Sequence, residues 1–269
     1  MSTPAGGSVI WIEIDTADVT AVKDFYGSLF GWSFPGMPTP DGGTYHLIQP
    51  AGAPFPMGGI LESGSGEREG IVLSAVSMDV AGDAARLKGL GATVVVPPSK
   101  AADGGDYARL TDPRGNLFAI WTPPGPPPGV DPSQLDASAF EPKPGSLGWF
   151  EIGTRDLDVT RTFYAQALGW SYEPDPGVPG ETYEGVRAGT AQPSGGLREL
   201  GQAKGQARGV ADYTMPLFLT EEVPATADRA VALGARVDDA PTVTTYGLTF
   251  ARLTDPRGNR FGLFAPPKG

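Results

Sequence analysis

Apolar positions along the chain alternate between two spacings. A short apolar stretch from Val9 to Ile14, broken only by Glu13, reads as a strand. Beyond it, Val22, Phe25, Tyr26, Leu29 and Phe30 recur every three or four residues, which makes one helical face. Asp18 stands where a first-turn acid or cap belongs and Gly31 where a C-terminal cap belongs, as do Asp156 and Gly169 further on. Strand-like runs TYHLI and MGGIL come next. The same scheme then restarts with a strand VLSAV from Val72, a helix AGDAARLKGLG, a strand TVVV, and a hairpin turning at TDPRGN into LFAIW. This predicts a βαβββ module used twice in the first part of the chain.

The whole arrangement then recurs. WIEIDTADVTAVKDFYGSLFGWSF from Trp11 and WFEIGTRDLDVTRTFYAQALGWSY from Trp149 share 10 of 24 residues, and RLTDPRGNLFAIWTPP from Arg109 and RLTDPRGNRFGLFAPP from Arg252 share 11 of 16. Because the order is kept, the chain is a tandem duplication. Between the copies, Thr122–Gly145 (TPPGPPPGVDPSQLDASAFEPKPG) is too rich in proline for regular structure and reads as a semi-rigid linker. The expected domains are 1–122 and 146–269 with a linker at 123–145, which suits a length of 269 residues at roughly 150 per domain. The fold class expected is α+β, with four βαβββ modules whose sheets carry helices on one face and curve around a ligand on the other.

Composition narrows the chemistry. With 20 basic against 31 acidic residues the net charge is −11, a field that repels nucleic acid and anionic lipid. There is no cysteine, hence no disulfide, thiolate metal site or cysteine nucleophile, and His46 is the only histidine, which excludes a multi-histidine metal site within one chain. No stretch approaches the ~20 apolar residues of a membrane helix, and the first residues lack a basic segment followed by an apolar run, so a cytoplasmic protein is expected.

A strand, then Asp, then FYxxxxGW, followed by a GG strand and a closing DPRGNxF hairpin, resembles the glyoxalase/bleomycin-resistance/extradiol-dioxygenase superfamily, also called vicinal oxygen chelate. The likeness covers nearly all of the chain outside the linker, and more narrowly the chain is similar to two-domain actinobacterial glyoxalase-like proteins, some of them named as hydroxylases of aromatic polyketide pathways. It implies two tandem domains with curved mixed sheets enclosing clefts. Metal-dependent members place one ligand on the first strand seven residues before the capping Asp, a second on the equivalent strand of the next module, and a carboxylate three residues after the DPxGN Asn. Carried onto this chain, those positions hold Trp11, Val72 and Ala119 in one copy and Trp149, Met215 and Gly262 in the other. None is a usual ligand for a divalent cation. No cofactor and no metal are expected, and the six positions become candidate ligand-binding residues.

Strand periodicity supplies the candidate chemistry. If Trp11 and Trp149 face the cavities, Glu13 and Glu151 face them too. An indole offers a stacking surface, and a carboxylate in an apolar cleft can act as a general acid or base. The bland alternative is that the tryptophans fill vacated space and the glutamates are hydrogen-bonded to neighbouring strands. His46 is a third candidate for proton transfer, and its counterpart in the second copy, Glu184, a candidate ligand contact. The favoured reading is a metal-independent enzyme acting on a planar, aromatic, polyketide-like small molecule by carboxylate acid/base chemistry of aldol, cyclisation, isomerase or lyase type. The alternative is a non-catalytic binding or drug-sequestering resistance protein, and a third reading leaves the cavities vestigial. Tandem fusion is compatible with a monomer built as a pseudo-dimer, or with a homodimer.

Overall fold

A computed structural model of the chain describes residues 6–39, 42–63, 69–101, 104–124, 141–201 and 210–267. Most of the proline-rich segment, 125–140, lies outside the described residues. In the first repeat the order is β1 (Val9–Thr16), α1 (Val19–Phe30), β2 (Gly36–Pro38), β3 (Thr44–Ile48), β4 (Gly58–Glu62), β5 (Gly70–Val76), α2 (Val80–Gly89), β6 (Thr93–Lys100), β7 (Asp106–Thr111) and β8 (Leu117–Trp121). The second repeats it with β9 (Leu147–Thr154), α3 (Leu157–Leu168), β10 (Ser171–Pro174), β11 (Tyr183–Arg187), β12 (Gly195–Glu199), β13 (Tyr213–Leu219), α4 (Val223–Ala232), β14 (Arg236–Val243), β15 (Thr249–Thr254) and β16 (Arg260–Ala265). This is the expected α+β class, with two βαβββ modules per copy.

Both modules of a copy share one eight-stranded mixed sheet, ordered β2-β3-β4-β1-β5-β8-β7-β6 in the first and β10-β11-β12-β9-β13-β16-β15-β14 in the second. The first strand of each module lies at the centre: β1 runs antiparallel to β5 and β9 to β13. The glycine pairs sit where β4 and β12 run parallel to these central strands, Gly58 and Gly59 across from Ile12 and Glu13, and Gly195 and Gly196 across from Phe150 and Glu151. A Cβ on Gly59 would lie 2.1 Å from the Tyr45 ring and one on Gly196 1.9 Å from the Tyr183 hydroxyl, so the absent side chains make room for these tyrosines.

The helices begin and end as their caps require. The Asp18 side chain accepts from Ala21 N and that of Asp156 from Val159 N, while Gly31 and Gly169 adopt φ of 69° and 70° at the C-termini. The apolar stripe of α1 (Val22, Phe25, Tyr26, Leu29) is buried, as are Thr160, Phe163, Tyr164 and Ala167 of α3. These helix residues do not form two separate cores. A single apolar cluster takes in side chains of all four helices and of both sheets, with Phe25 edge-on to Phe261 at 6.0 Å and Phe118 edge-on to Phe163 at 6.0 Å across the repeats. Among the described residues no helix is long and apolar enough to cross a membrane.

Candidate functional site: two clefts floored by arginine–carboxylate networks

The face of each sheet turned away from the helices encloses a cleft, about 270 Å³ in the first repeat and about 460 Å³ in the second. Equivalent residues build both. Trp11 and Glu13 project from β1 and Trp149 and Glu151 from β9, with Arg109 of β7 and Arg252 of β15 beneath them. The indole of Trp11 donates to the Tyr45 hydroxyl (3.3 Å) and that of Trp149 to the Tyr183 hydroxyl (3.2 Å). The walls are otherwise mainly apolar or aromatic: Trp121 lies 5.1 Å from Trp11 in the first cleft, and Leu217, Phe250 and Phe264 surround Trp149 in the second. Such a lining with few polar groups is typical of small-molecule sites.

The floors differ in their charge balance. In the first cleft Arg109 bridges two carboxylates, bonding Asp15 through both terminal nitrogens at 2.8 Å and Glu13 through one. Burial pushes the Glu13 carboxyl up, and the charge and hydrogen bond of Arg109 only partly offset it, so it sits above the usual carboxylate range. In the second cleft Arg252 bonds both oxygens of Glu151 (2.8 and 2.7 Å) and also Glu181 and Asp239, which Arg198 shares. The Tyr213 hydroxyl donates to Glu151 at 2.6 Å. Burial again pushes Glu151 up, but the charge and bonds of Arg252, with the charge of Arg198, prevail and hold it below the usual range.

Four of the expected site residues stand elsewhere. His46 and Glu184 point to the helix side of the sheets: His46 Nδ1 meets Lys23 Nζ of α1 at 3.0 Å, and Glu184 is paired with Arg161 of α3. Strand alternation is the reason, because the neighbours Tyr45 and Tyr183 take the cleft face. Val72 and Met215 are fully buried and lie across from Glu13 and Glu151, one step deeper than the tryptophans. Across from Trp11 and Trp149 stand Ser74 and Leu217 instead. Ala119 lines the first cleft beside Ser74, and Gly262 pairs with Leu217 in the second. Sequence reasoning missed Tyr45, Tyr183, Arg109 and Arg252. Their signal was present in alternation within TYHLI and in an arginine repeated among apolar residues at the head of each RLTDPRGN.

The donors required for a divalent metal do not fit. Trp11, Ser74 and Ala119 converge in one cleft and Trp149, Leu217 and Gly262 in the other, and a Cβ on Gly262 would lie 2.4 Å from Leu217 Cγ, so an isobutyl group fills that space. The carboxylates below are already committed to arginines. Among the described residues no group of three or more His, Cys, Asp or Glu is arranged to hold a metal ion.

Comparison with known proteins bears on family and fold. The chain is 30% identical over 283 residues to the anthracycline biosynthesis protein DauV of Streptomyces sp. strain C5, covering 98% of this chain and 94% of that one. It is 27% identical over 267 residues to CFP32 of Mycobacterium tuberculosis, covering 97% and 95%. The Mn(II)-bound glyoxalase of Novosphingobium aromaticivorans shares its fold, with a TM-score of 0.65 at 17% identity, over 98% of this chain and 83% of that chain. The model of the glyoxalase-like domain matches residues 11–121 and again 149–264, and the chain therefore belongs to the glyoxalase-like domain family as a tandem of two such domains.

Proposed function

We propose that the protein acts on a planar aromatic small molecule, stacked on a cleft tryptophan, by moving a proton through Glu13 and without a metal. The observation that carries this reading is the Trp11–Glu13 pair: an indole and a carboxylate two residues apart on β1, in one apolar cleft, with the carboxylate 15% exposed and its affinity for a proton raised by burial. Glu13 in its ionised form takes a proton from a carbon beside a ring carbonyl, the electron pair passes onto the carbonyl oxygen as an enolate, and return of the proton to a conjugated carbon completes an isomerisation, whereas return to the same carbon is exchange. Arg109 keeps its charge throughout, since burial weakens it less than Glu13 and Asp15 strengthen it, and so it steadies the floor as Glu13 changes state. The name of DauV places that relative in the biosynthesis of anthracyclines, which are planar polycyclic aromatics, and this supports the ligand class.

Exchange of solvent deuterium into 1-tetralone and anthrone, followed by NMR, tests the proposal. The protein is expected to speed exchange above buffer and Glu13→Gln to return it to background, a loss of about a hundredfold or more for a proton-transfer group. A Glu13→Gln variant exchanging at the wild-type rate overturns the assignment. The second reading, binding without turnover, is favoured by one observation: Glu151, in the larger cleft, has both oxygens occupied by Arg252 and Tyr213. Tight binding of these ketones with no exchange would select it.

A further inference from the structure

The two clefts differ at one cross-strand pair beside the central glutamate. In the first repeat Asp15 of β1 lies across from Gly70 of β5, and in the second Gly153 of β9 lies across from Tyr213 of β13. Each pair joins one small and one larger residue, but on opposite strands. Gly153 is obligatory beside Tyr213, because a Cβ on it would fall 2.3 Å from the tyrosine ring.

This exchange redirects the arginine. Asp15 takes bonds from both terminal nitrogens of Arg109, leaving Glu13 one bond from that guanidinium and one from the Tyr45 hydroxyl. The second repeat has no carboxylate at the place of Asp15. Arg252 therefore turns its Nε and a terminal nitrogen onto both oxygens of Glu151, and Tyr213, standing in the space that Gly153 vacates, adds a third donor. As a result the Glu13 side chain is 15% exposed and that of Glu151 is 1% exposed.

We propose that the Asp15–Gly70 and Gly153–Tyr213 pairs divide labour between the clefts: the first transfers protons through Glu13, with Asp15 as the positioning residue that draws off Arg109, and the second holds a planar ring over a fixed anion and transfers none. This rests on the reading of Glu13 as the proton carrier. The charged and titratable groups around Glu13 are Asp15 on its own strand, Arg109 on β7 and Tyr45 on β3. Those around Glu151 are Arg252 on β15, Tyr213 on β13, Tyr183 on β11 and Arg198 on β12, with Glu181 and Asp239 behind the arginines. The second cleft is the larger and encloses its ring between Trp149, Phe250 and Phe264. Tyr246, whose hydroxyl donates to Asp175 at 2.9 Å, lines it as well.

Titration of ¹³C-labelled glutamate carboxyls by NMR separates the two environments without a substrate. In the wild type Glu13 is expected to titrate above the ordinary glutamate midpoint and Glu151 below it. Asp15→Asn, which leaves Arg109 only Glu13 to pair with, should bring the Glu13 midpoint down and leave that of Glu151 in place. Tyr213→Phe removes a single hydroxyl and should raise the Glu151 midpoint while leaving that of Glu13, so it tests the same claim should Asp15→Asn not fold. Coincident midpoints in the wild type, or a Glu13 midpoint unmoved by Asp15→Asn, overturn the division. Deuterium exchange distinguishes this from failure of the underlying reading. Distinct midpoints with exchange untouched by Glu13→Gln remove the proton carrier, whereas exchange lost equally in Glu13→Gln and Glu151→Gln removes the division and keeps carboxylate chemistry.

Discussion

Glu13 and Glu151 occupy the same place in two repeats, yet pH acts on them with opposite sign. Glu13 is raised in the folded state, first by burial, so its contribution to stability is fully present below the unfolded carboxylate range and is lost as pH rises through its folded value. Glu151 is lowered, because Arg252 and Arg198 outweigh burial, so its contribution is present above the unfolded value and is lost as pH falls through the folded one. Glu151→Gln is thus expected to cost on the order of 3 kcal/mol at pH 7, the usual consequence of breaking a buried ion pair, with the loss shrinking in acid. Glu13→Gln should be no less stable than the wild type at pH 7, because Arg109 keeps both bonds to Asp15. Urea midpoints at pH 7 and pH 4 check both, and a Glu151→Gln midpoint equal to wild type would sink the argument. These two glutamates were visible in the sequence as facing the cavities. Their difference was not, since it depends on Asp15, Gly153 and Tyr213, which come together only through pairing with β5 and β13.

At the scale of elements, alternation and capping carried most of the information. Asp18 and Asp156 close the first turns of α1 and α3 as expected, and Asp18→Ala or Asp156→Ala should each cost about 1 kcal/mol, read from thermal or urea unfolding. α4 begins differently, with Glu222 at the cap making no side-chain cap bond and a proline in the first turn, so the same experiment there should register less. Register between strands was the part that a sequence does not state. Counting placed Val72 and Met215 with the tryptophans, whereas antiparallel pairing brings Ser74 and Leu217 across from them, with a shift in β1 between Val9 and Trp11. The same two-residue periodicity that correctly put Glu13 with Trp11 also assigns Tyr45 to the cleft and His46 to the helix face.

At the scale of the molecule, the two motifs that carry the family resemblance meet each other across the duplication. Tyr26 of the first FY pair donates to Asp255 of the second TDPRGN turn at 3.0 Å, and Tyr164 of the second donates to Asp112 of the first at 3.1 Å. Each aspartate also accepts from the backbone of its own turn, at Arg114 and Asn116 or at Arg257 and Asn259. The arginines of the turns cross over as well, Arg114 to Asp212 and Arg257 to Glu69. The tryptophans of the GW pairs do the same, Trp32 donating to the Gly145 carbonyl and Trp170 to that of Gly7. Read alone, FYxxxxGW is core packing and TDPRGN a turn; together they are the reciprocal interface that joins two domains with a shared core. Burial and the facing aspartate push both phenols far up, so they stay protonated and go on donating. Tyr26→Phe and Tyr164→Phe each leave a buried carboxylate one donor short, at a cost of about 1–3 kcal/mol. Because helices of both repeats pack into one cluster, neither domain can expose its half without exposing its partner's. Calorimetry should therefore show one transition whose calorimetric and van't Hoff enthalpies agree, and each tyrosine variant should lower that transition as a whole. Two resolved transitions, with Tyr26→Phe moving only one of them, would mean that the domains are merely adjacent and that their clefts are independent.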